Sequence, residues 1–195
     1  MNKQELRNKY ILLRNGFDKK YVEEASENIS DSVIQYINDY IKKYALKELY
    51  IYGYMPLGNE VSLLKVFENI WKDNLGSNDL KIYTAFPKIE SKNMRFYLAD
   101  SHDDFEPGHF GVTEPKAKCK LCDAKDPIVL VPGVAFSRSD YRMGYGKGYY
   151  DRYFEKRRFN SILLGIAFKE QVTDELLTDI YDVPMNKIIT NQNRK

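Results

Sequence analysis

The sequence predicts a single α/β domain over residues 1–195, a three-layer sandwich whose central sheet is mainly parallel. Three observations carry that expectation. Short runs rich in β-formers, closed by proline or glycine, alternate with longer segments of helical apolar spacing, the order that builds strand–helix–strand units. One run, IVLV at 128–131, is apolar at every position, as a strand covered on both faces must be. A chain of 195 residues, 43% of them hydrophobic, supports one sizeable core and is short for two.

Residues 2 to about 14 place Leu6, Tyr10 and Leu13 on one helical face. Lys3, Arg7 and Arg14 form a neighbouring basic stripe, because the seven residues from Arg7 to Arg14 make almost two turns. Such a stripe is either a solvated edge or a row of cations reaching toward a bound anion. After Asn15 and Gly16, residues 18–44 carry Val22, Ala25, Ile29, Val33, Tyr36, Ile37 and Tyr40 at helical spacing, which predicts a long helix lying on a sheet.

The first strand is expected at 49–55, LYIYGYM, ending at Pro56 and Gly58. A helix over 60–71 follows through Leu63, Leu64, Phe67 and Ile70. Ligands collect at the carboxyl ends of strands in open α/β sheets, which directs attention to Met55, Pro56 and Glu60. Glu60 also reads as a first-turn carboxylate favoured by the helix dipole. A turn is expected at 74–79, a second strand at 81–86 closed by Pro87 and Lys88, and a third at 94–99. Residues 100–126 are polar and broken by Pro107, Gly108, Gly111 and Pro115, the composition of a long loop. Phe110 within it serves either as a platform for a planar ligand or as an anchor of the loop.

The buried strand at 126–132 leads into VPGVAFSRSDYRMGYGKGYYD, residues 131–151, which sets Gly144, Gly146 and Gly148 at alternate positions beside Arg142 and Lys147. Glycines let backbone N–H groups approach an anion, and the bases supply charge. A helix is expected from Tyr149 to about Phe159. Loop before helix aims free amides and the positive dipole end at a phosphate. A strand at 162–168, a short helix at 174–181 and a strand at 187–190 complete the pattern. Asp151 and Asp182 flank the glycine loop and the short helix, where each suits either an ion pair or a cap, or together a magnesium ion carried by a phosphate.

Thirty basic residues against 28 acidic ones leave a net charge of +2, which argues against a broad nucleic-acid or membrane-binding face. The charged start MNKQELRNKY and the lack of a spanning apolar stretch fit a cytoplasmic chain. Cys119 and Cys122, with His102 and His109 upstream, make a zinc site conceivable; the loose spacing favours a plain surface loop.

The run VPGVAFSRSDYRMGYGKGYYDRYF, with AFKEQ at 167–171 and KQELR at 3–7, resembles the 5-formyltetrahydrofolate cyclo-ligase family over nearly the whole chain. The resemblance implies a single α/β domain that uses magnesium ATP to convert 5-formyltetrahydrofolate, with or without a polyglutamate tail, into 5,10-methenyltetrahydrofolate. It implies ATP contacts from Lys3, Arg7, Arg142, Gly144, Tyr145, Gly146, Lys147, Gly148, Tyr149 and Tyr150, with Arg142 and Lys147 supporting the chemistry. Asp151 and Asp182 would hold magnesium; Met55, Glu60, Tyr149 and Phe110 would meet the folate. A monomer or weak homodimer is expected. The chain departs from the family pattern at Ser137, Asp140 and Phe110, where members often have Asp, Gly and Trp. Two other readings of the residues alone are a sugar-phosphate isomerase and a nucleotide-sensing module.

Overall fold

A strand buried on both faces must present apolar side chains at both parities, and the central strands do so. The computed structural model describes residues 1–73, 75, 79–108, 111–157, 161–176 and 182–192. Its main sheet is built from β1 (Glu48–Tyr52), β2 (Lys81–Glu90), β3 (Asn93–Leu98), β6 (Leu121–Cys122), β7 (Ile128–Pro132), β10 (Ile162–Ile166) and β12 (Lys187–Ile189), in the order β12-β10-β7-β1-β2-β3-β6. The first five in that order are mutually parallel; β3 and β6 are added antiparallel at one edge.

Three helices and the sheet make the layers. The helix α2 (Lys19–Tyr44) begins at Asp18, whose side chain accepts the N–H of Tyr21 and so caps an otherwise unpaired donor. Its Ala25, Ile29, Val33 and Ile37 pack with α3 (Leu64–Trp71) on one sheet face, over Leu49, Ile51, Ile128, Leu130, Leu164 and Ile166. The alternate residues Tyr52, Val129, Val131 and Leu163 face the other way and meet Phe154 of α4 (Tyr149–Arg157). Even and odd positions of β1, β7 and β10 thus feed two separate cores, the physical content of a three-layer sandwich.

The helix α1 (Lys3–Asn15) stands apart from these layers. Asn2 and Glu5 form a reciprocal capping box at its start. Leu6 and Tyr10 pack on Val134, Ala135 and Met143 of a small second sheet, in which β8 (Ala135–Ser137) lies between β9 (Arg142–Met143) and β11 (Val172–Thr173).

Several expected boundaries shift. The strand β1 stops at Tyr52, although the Gly53 N–H still donates to the Ala85 carbonyl at 2.8 Å; Gly53 itself is required by crowding, since a Cβ there would stand 2.2 Å from the Phe67 ring. The helix α3 starts at Leu64; Val61 and Leu63 are buried in a non-helical lead-in, which prolonged the apolar period upstream. The strand β2 runs through Pro87 to Glu90. Its pairing with β1 ends at Ala85, so beyond that point it is an edge toward β1 and proline loses no ladder bond there. The expected loop 100–126 contains a hairpin of β4 (Phe105–Pro107) and β5 (Thr113–Pro115), then β6. The expected helix at 174–181 falls largely on residues outside those described, as do Phe110 and His109, and Asp174–Leu176 are not helical.

Candidate active site

The chain leaves β7 at Pro132 and enters the small sheet before it reaches the glycine loop, so two short strands stand where a direct strand-to-loop passage was expected. This detour is braced from behind. Gln171, the last residue of AFKEQ, is buried and donates to the carbonyls of Gly133 at 3.0 Å and Val134 at 2.8 Å while accepting the Phe168 N–H. At the β8–β9 turn Asp140 has φ +67°, a left-handed conformation that glycine adopts without strain and Asp tolerates better than most residues. Ser137 Oγ accepts the Tyr141 N–H at 3.0 Å and closes the turn. The two departures from the family pattern therefore occupy one turn and support each other.

The glycine loop is wedged between α1 and α4. Arg7 Nε donates to the Gly144 carbonyl at 2.9 Å, and Arg152 Nη1 donates to the Lys147 carbonyl at 2.9 Å. Gly146 and Gly148 have φ of +89° and +67°. The left-handed φ of Gly148 is what favours glycine there; a Cβ would also meet Arg152 Nη1 at 2.8 Å, the mobile end of a side chain that can shift. Beyond it, α4 opens with Tyr149, Tyr150 and Asp151.

Arg142 is buried in β9 rather than carried on the loop. Its Nη2 donates to Asp151 Oδ1 at 3.0 Å, its Nη1 to the Pro132 carbonyl at 3.3 Å, and its guanidinium lies 5.1 Å from the centre of the Tyr150 ring. Asp151 is thereby aimed by Arg142, so the ion-pair alternative describes it, and its side chain stays 40% exposed. Lys3 Nζ lies 3.4 Å from Asp182 Oδ2.

The basic stripe of α1 divides. Lys3 and Arg7 line the cavity described below, whereas Arg14 is 3% exposed and turns toward Glu60. Neither the solvated edge nor the anion-facing row describes Arg14. Its Nη1 lies 3.4 Å from Glu60 Oε1, and its Nη2 donates to the Tyr145 hydroxyl, which in turn donates to Glu60 Oε1 at 2.9 Å. Glu60 sits in the turn before α3, so its carboxylate is held by the Leu57 N–H at 3.0 Å rather than by a helix dipole. Burial pushes the Glu60 carboxyl above its usual range, opposed by the charge of Arg14 and by the hydrogen bonds from Leu57, Tyr145 and Arg14. Burial and the Glu60 charge push the Tyr145 hydroxyl up to about 12, so it remains a donor at neutral pH. Beside them Tyr54 is buried and donates to the Val61 carbonyl at 2.8 Å.

These elements surround a cavity of about 460 Å³. Its charged lining is Lys3, Arg7, Glu60, Glu114, Arg142, Lys147, Asp151 and Asp182; Tyr54, Met55, Leu57, Pro87, Ile89, Met94 and Val112 supply apolar surface. Of the described residues expected at the site, Met55, Glu60, Lys3, Arg7, Arg142, Gly144 to Tyr150, Asp151 and Asp182 line it, whereas Pro56 does not. The lining from Pro87 to Glu114 was not foreseen. Glu114 is buried and accepts the Ile89 N–H at 3.2 Å, which joins the hairpin β4–β5 to β2. Asp151 and Asp182 present hard carboxylate oxygens, the donors magnesium takes when phosphate and water complete its shell, so the donor set fits that ion. Cys122 lies buried in β6, its Sγ accepting from the Tyr52 hydroxyl at 3.4 Å, not in a surface loop; Cys119 is half-buried and also a free thiol.

The model of the 5-formyltetrahydrofolate cyclo-ligase family matches residues 1–191. The 5-formyltetrahydrofolate cyclo-ligase of Mycoplasma pneumoniae is 26% identical over 192 residues, covering 98% of this chain and 100% of its own. That of Saccharomyces cerevisiae is 26% identical over 209 residues, covering 96% of this chain and 94% of its own. Among solved structures, the 5,10-methenyltetrahydrofolate synthetase of Aquifex aeolicus superposes with a TM-score of 0.76 at 29% identity, over 99% of this chain and 91% of that one.

Proposed function

The chain belongs to the 5-formyltetrahydrofolate cyclo-ligase family, and from that premise we propose that it closes 5-formyltetrahydrofolate to 5,10-methenyltetrahydrofolate with magnesium ATP, releasing ADP and phosphate. The observation that carries this reading is a single cavity bordered both by a glycine loop with Lys3, Arg7, Lys147 and two carboxylates, and by Glu60, Met55 and an apolar surface. A triphosphate and a pterin need those two kinds of lining side by side. Family membership also sets aside the isomerase and nucleotide-sensor readings.

A formamide oxygen is a weak nucleophile and its carbon a weak electrophile, so N10 closes the ring only after activation. Attack of the formyl oxygen on the γ-phosphorus gives an imidate phosphate and ADP. N10 then attacks the activated carbon, gives up its proton to solvent, and phosphate departs as the five-membered ring forms. Phosphoryl transfer asks a protein chiefly for alignment and charge neutralisation. Lys3, Arg7 and Lys147 supply positive charge at the loop, and the backbone amides around Gly146 and Gly148 can approach phosphate oxygens closely. Asp151 and Asp182 are the residues that would hold magnesium, which when bound neutralises phosphate charge. Arg142, buried behind Asp151, aims that carboxylate and adds to the local field. Glu60 faces the pterin end with Met55 and Tyr149. Ring closure is intramolecular, where held geometry contributes as much as ~7–11 kcal/mol. No protein nucleophile is required.

Purified protein given 5-formyltetrahydrofolate and magnesium ATP is expected to form the methenyl product, followed by its near-ultraviolet absorbance, with one ADP released per ring closed. Formation of product without ATP, or ATP binding with no product, contradicts the assignment.

A further inference from the structure

Three side chains from distant parts of the chain meet where the glycine loop passes the turn after β1. Arg14 comes from the last turn of α1, Tyr145 from between Gly144 and Gly146, and Glu60 from the turn closed by the Leu57 N–H. Arg14 and Glu60 are 3% and 6% exposed, and such a pair is costly to bury, so its presence calls for a role beyond stability. Glu60 and Tyr145 line the cavity and Arg14 does not, which means that Arg14 acts through the other two. Asn59 donates to the carbonyls of Arg14 at 3.3 Å and Phe17 at 3.4 Å, pinning the end of α1 to the same turn. The Tyr145 hydroxyl accepts from Arg14 and donates to Glu60, and its rigid ring spans from the loop to the carboxylate.

We propose that Arg14 is a positioning residue that binds Tyr145 and Glu60 into one strut, so that the glycine loop and the substrate carboxylate are set together and occupancy of either site strengthens binding at the other. The identities of the two ligands rest on the function proposed above. The loop is held to the body at two carbonyls, Gly144 by Arg7 and Lys147 by Arg152, and Tyr145 stands between them as the side chain that reaches Glu60. A phosphate group that fixes the loop fixes Tyr145, and Tyr145 fixes Glu60. By linkage the folate that engages Glu60 must then favour the phosphate-bound loop by the same factor.

Calorimetric titration with magnesium and the β,γ-imido analogue of ATP, with and without saturating 5-formyltetrahydrofolate, measures that factor. In the wild type the folate is expected to tighten the analogue by about fivefold or more, the lower end for coupled sites. Tyr145→Phe keeps the ring and loses both hydrogen bonds of the hydroxyl; its ratio is expected to fall close to one while each ligand alone still binds. Arg14→Met should behave likewise, with Arg14→Lys intermediate. A Tyr145→Phe ratio equal to the wild type's overturns the strut, as does a wild-type ratio of one in an enzyme that turns over. A wild type that binds neither ligand overturns the proposed function and the strut with it.

Discussion

At the scale of residues, the pair formed by Arg14 and Glu60 separates stability from function. Removing one partner strands a buried charge, so Arg14→Met or Glu60→Leu alone is expected to cost about 3–5 kcal/mol, whereas the double substitution is expected to be near neutral because replacing both charges with apolar groups removes their desolvation penalty. Denaturant unfolding checks both, and activity should be lost in the double variant despite its recovered stability. Glu60 also sets a pH dependence. Its folded pKa lies above the ordinary value and its ionised form receives Arg14 and Tyr145, so kcat/KM for the folate should fall as pH drops through a value above the ~4.3 of a free glutamate. For stability the sign is opposite: this group's contribution is fully present below its ordinary pKa and is lost as pH rises through the raised one. A third test concerns Asp151. Asp151→Asn should lower kcat on the order of 100-fold, as loss of one charge-stabilising group does, and lower Tm only modestly, because the amide oxygen still accepts from the buried Arg142 while no longer offsetting its charge. Full activity in this variant would remove Asp151 from the site. Spacing on a helix showed that Lys3, Arg7 and Arg14 share a stripe; it carried no information on what would cover Arg14.

Among the elements, the glycine loop was legible because its requirements are local. Positive φ at Gly146 and Gly148 and the start of α4 at Tyr149 follow from residues within a few positions of one another. Gly148→Ala places a Cβ against Arg152 at φ +67°, so about 1–2 kcal/mol of strain is expected, together with weaker ATP binding in the same titration. The extension of β2 past Pro87 and the hairpin of β4 and β5 were not legible. A proline reads as a stop unless the strand is known to be at an edge, and strands of three residues carry too few positions for alternation to register. The helix α3 was read too early because Val61 and Leu63 are buried for the sake of the core, not of a helix.

Across the whole molecule, alternating strands and helices were enough to give the three layers, since that pattern is spread over the full chain. The site was half visible. One run of sequence holds the half assigned above to phosphate, and the rule that ligands gather at strand carboxyl ends pointed to Met55 and Glu60. Ile89, Met94 and Glu114 reach the cavity only through pairing of β2 with β3 and β4 with β5, contacts that no local pattern announces. Because this cavity joins α1, both sheets and α4, its ligands should stabilise the fold as a unit. ATP with magnesium at 100 times its Kd is expected to add about 2.7 kcal/mol, raising Tm by about 5–10 °C for a chain of this size. The most direct test follows the oxygen. With 5-formyltetrahydrofolate labelled with heavy oxygen in the formyl group, attack on the γ-phosphorus carries that atom into the phosphate released as the methenyl product appears. Labelled phosphate, one per ring closed and dependent on ATP, is the predicted result; methenyl product accompanied by unlabelled phosphate would contradict it.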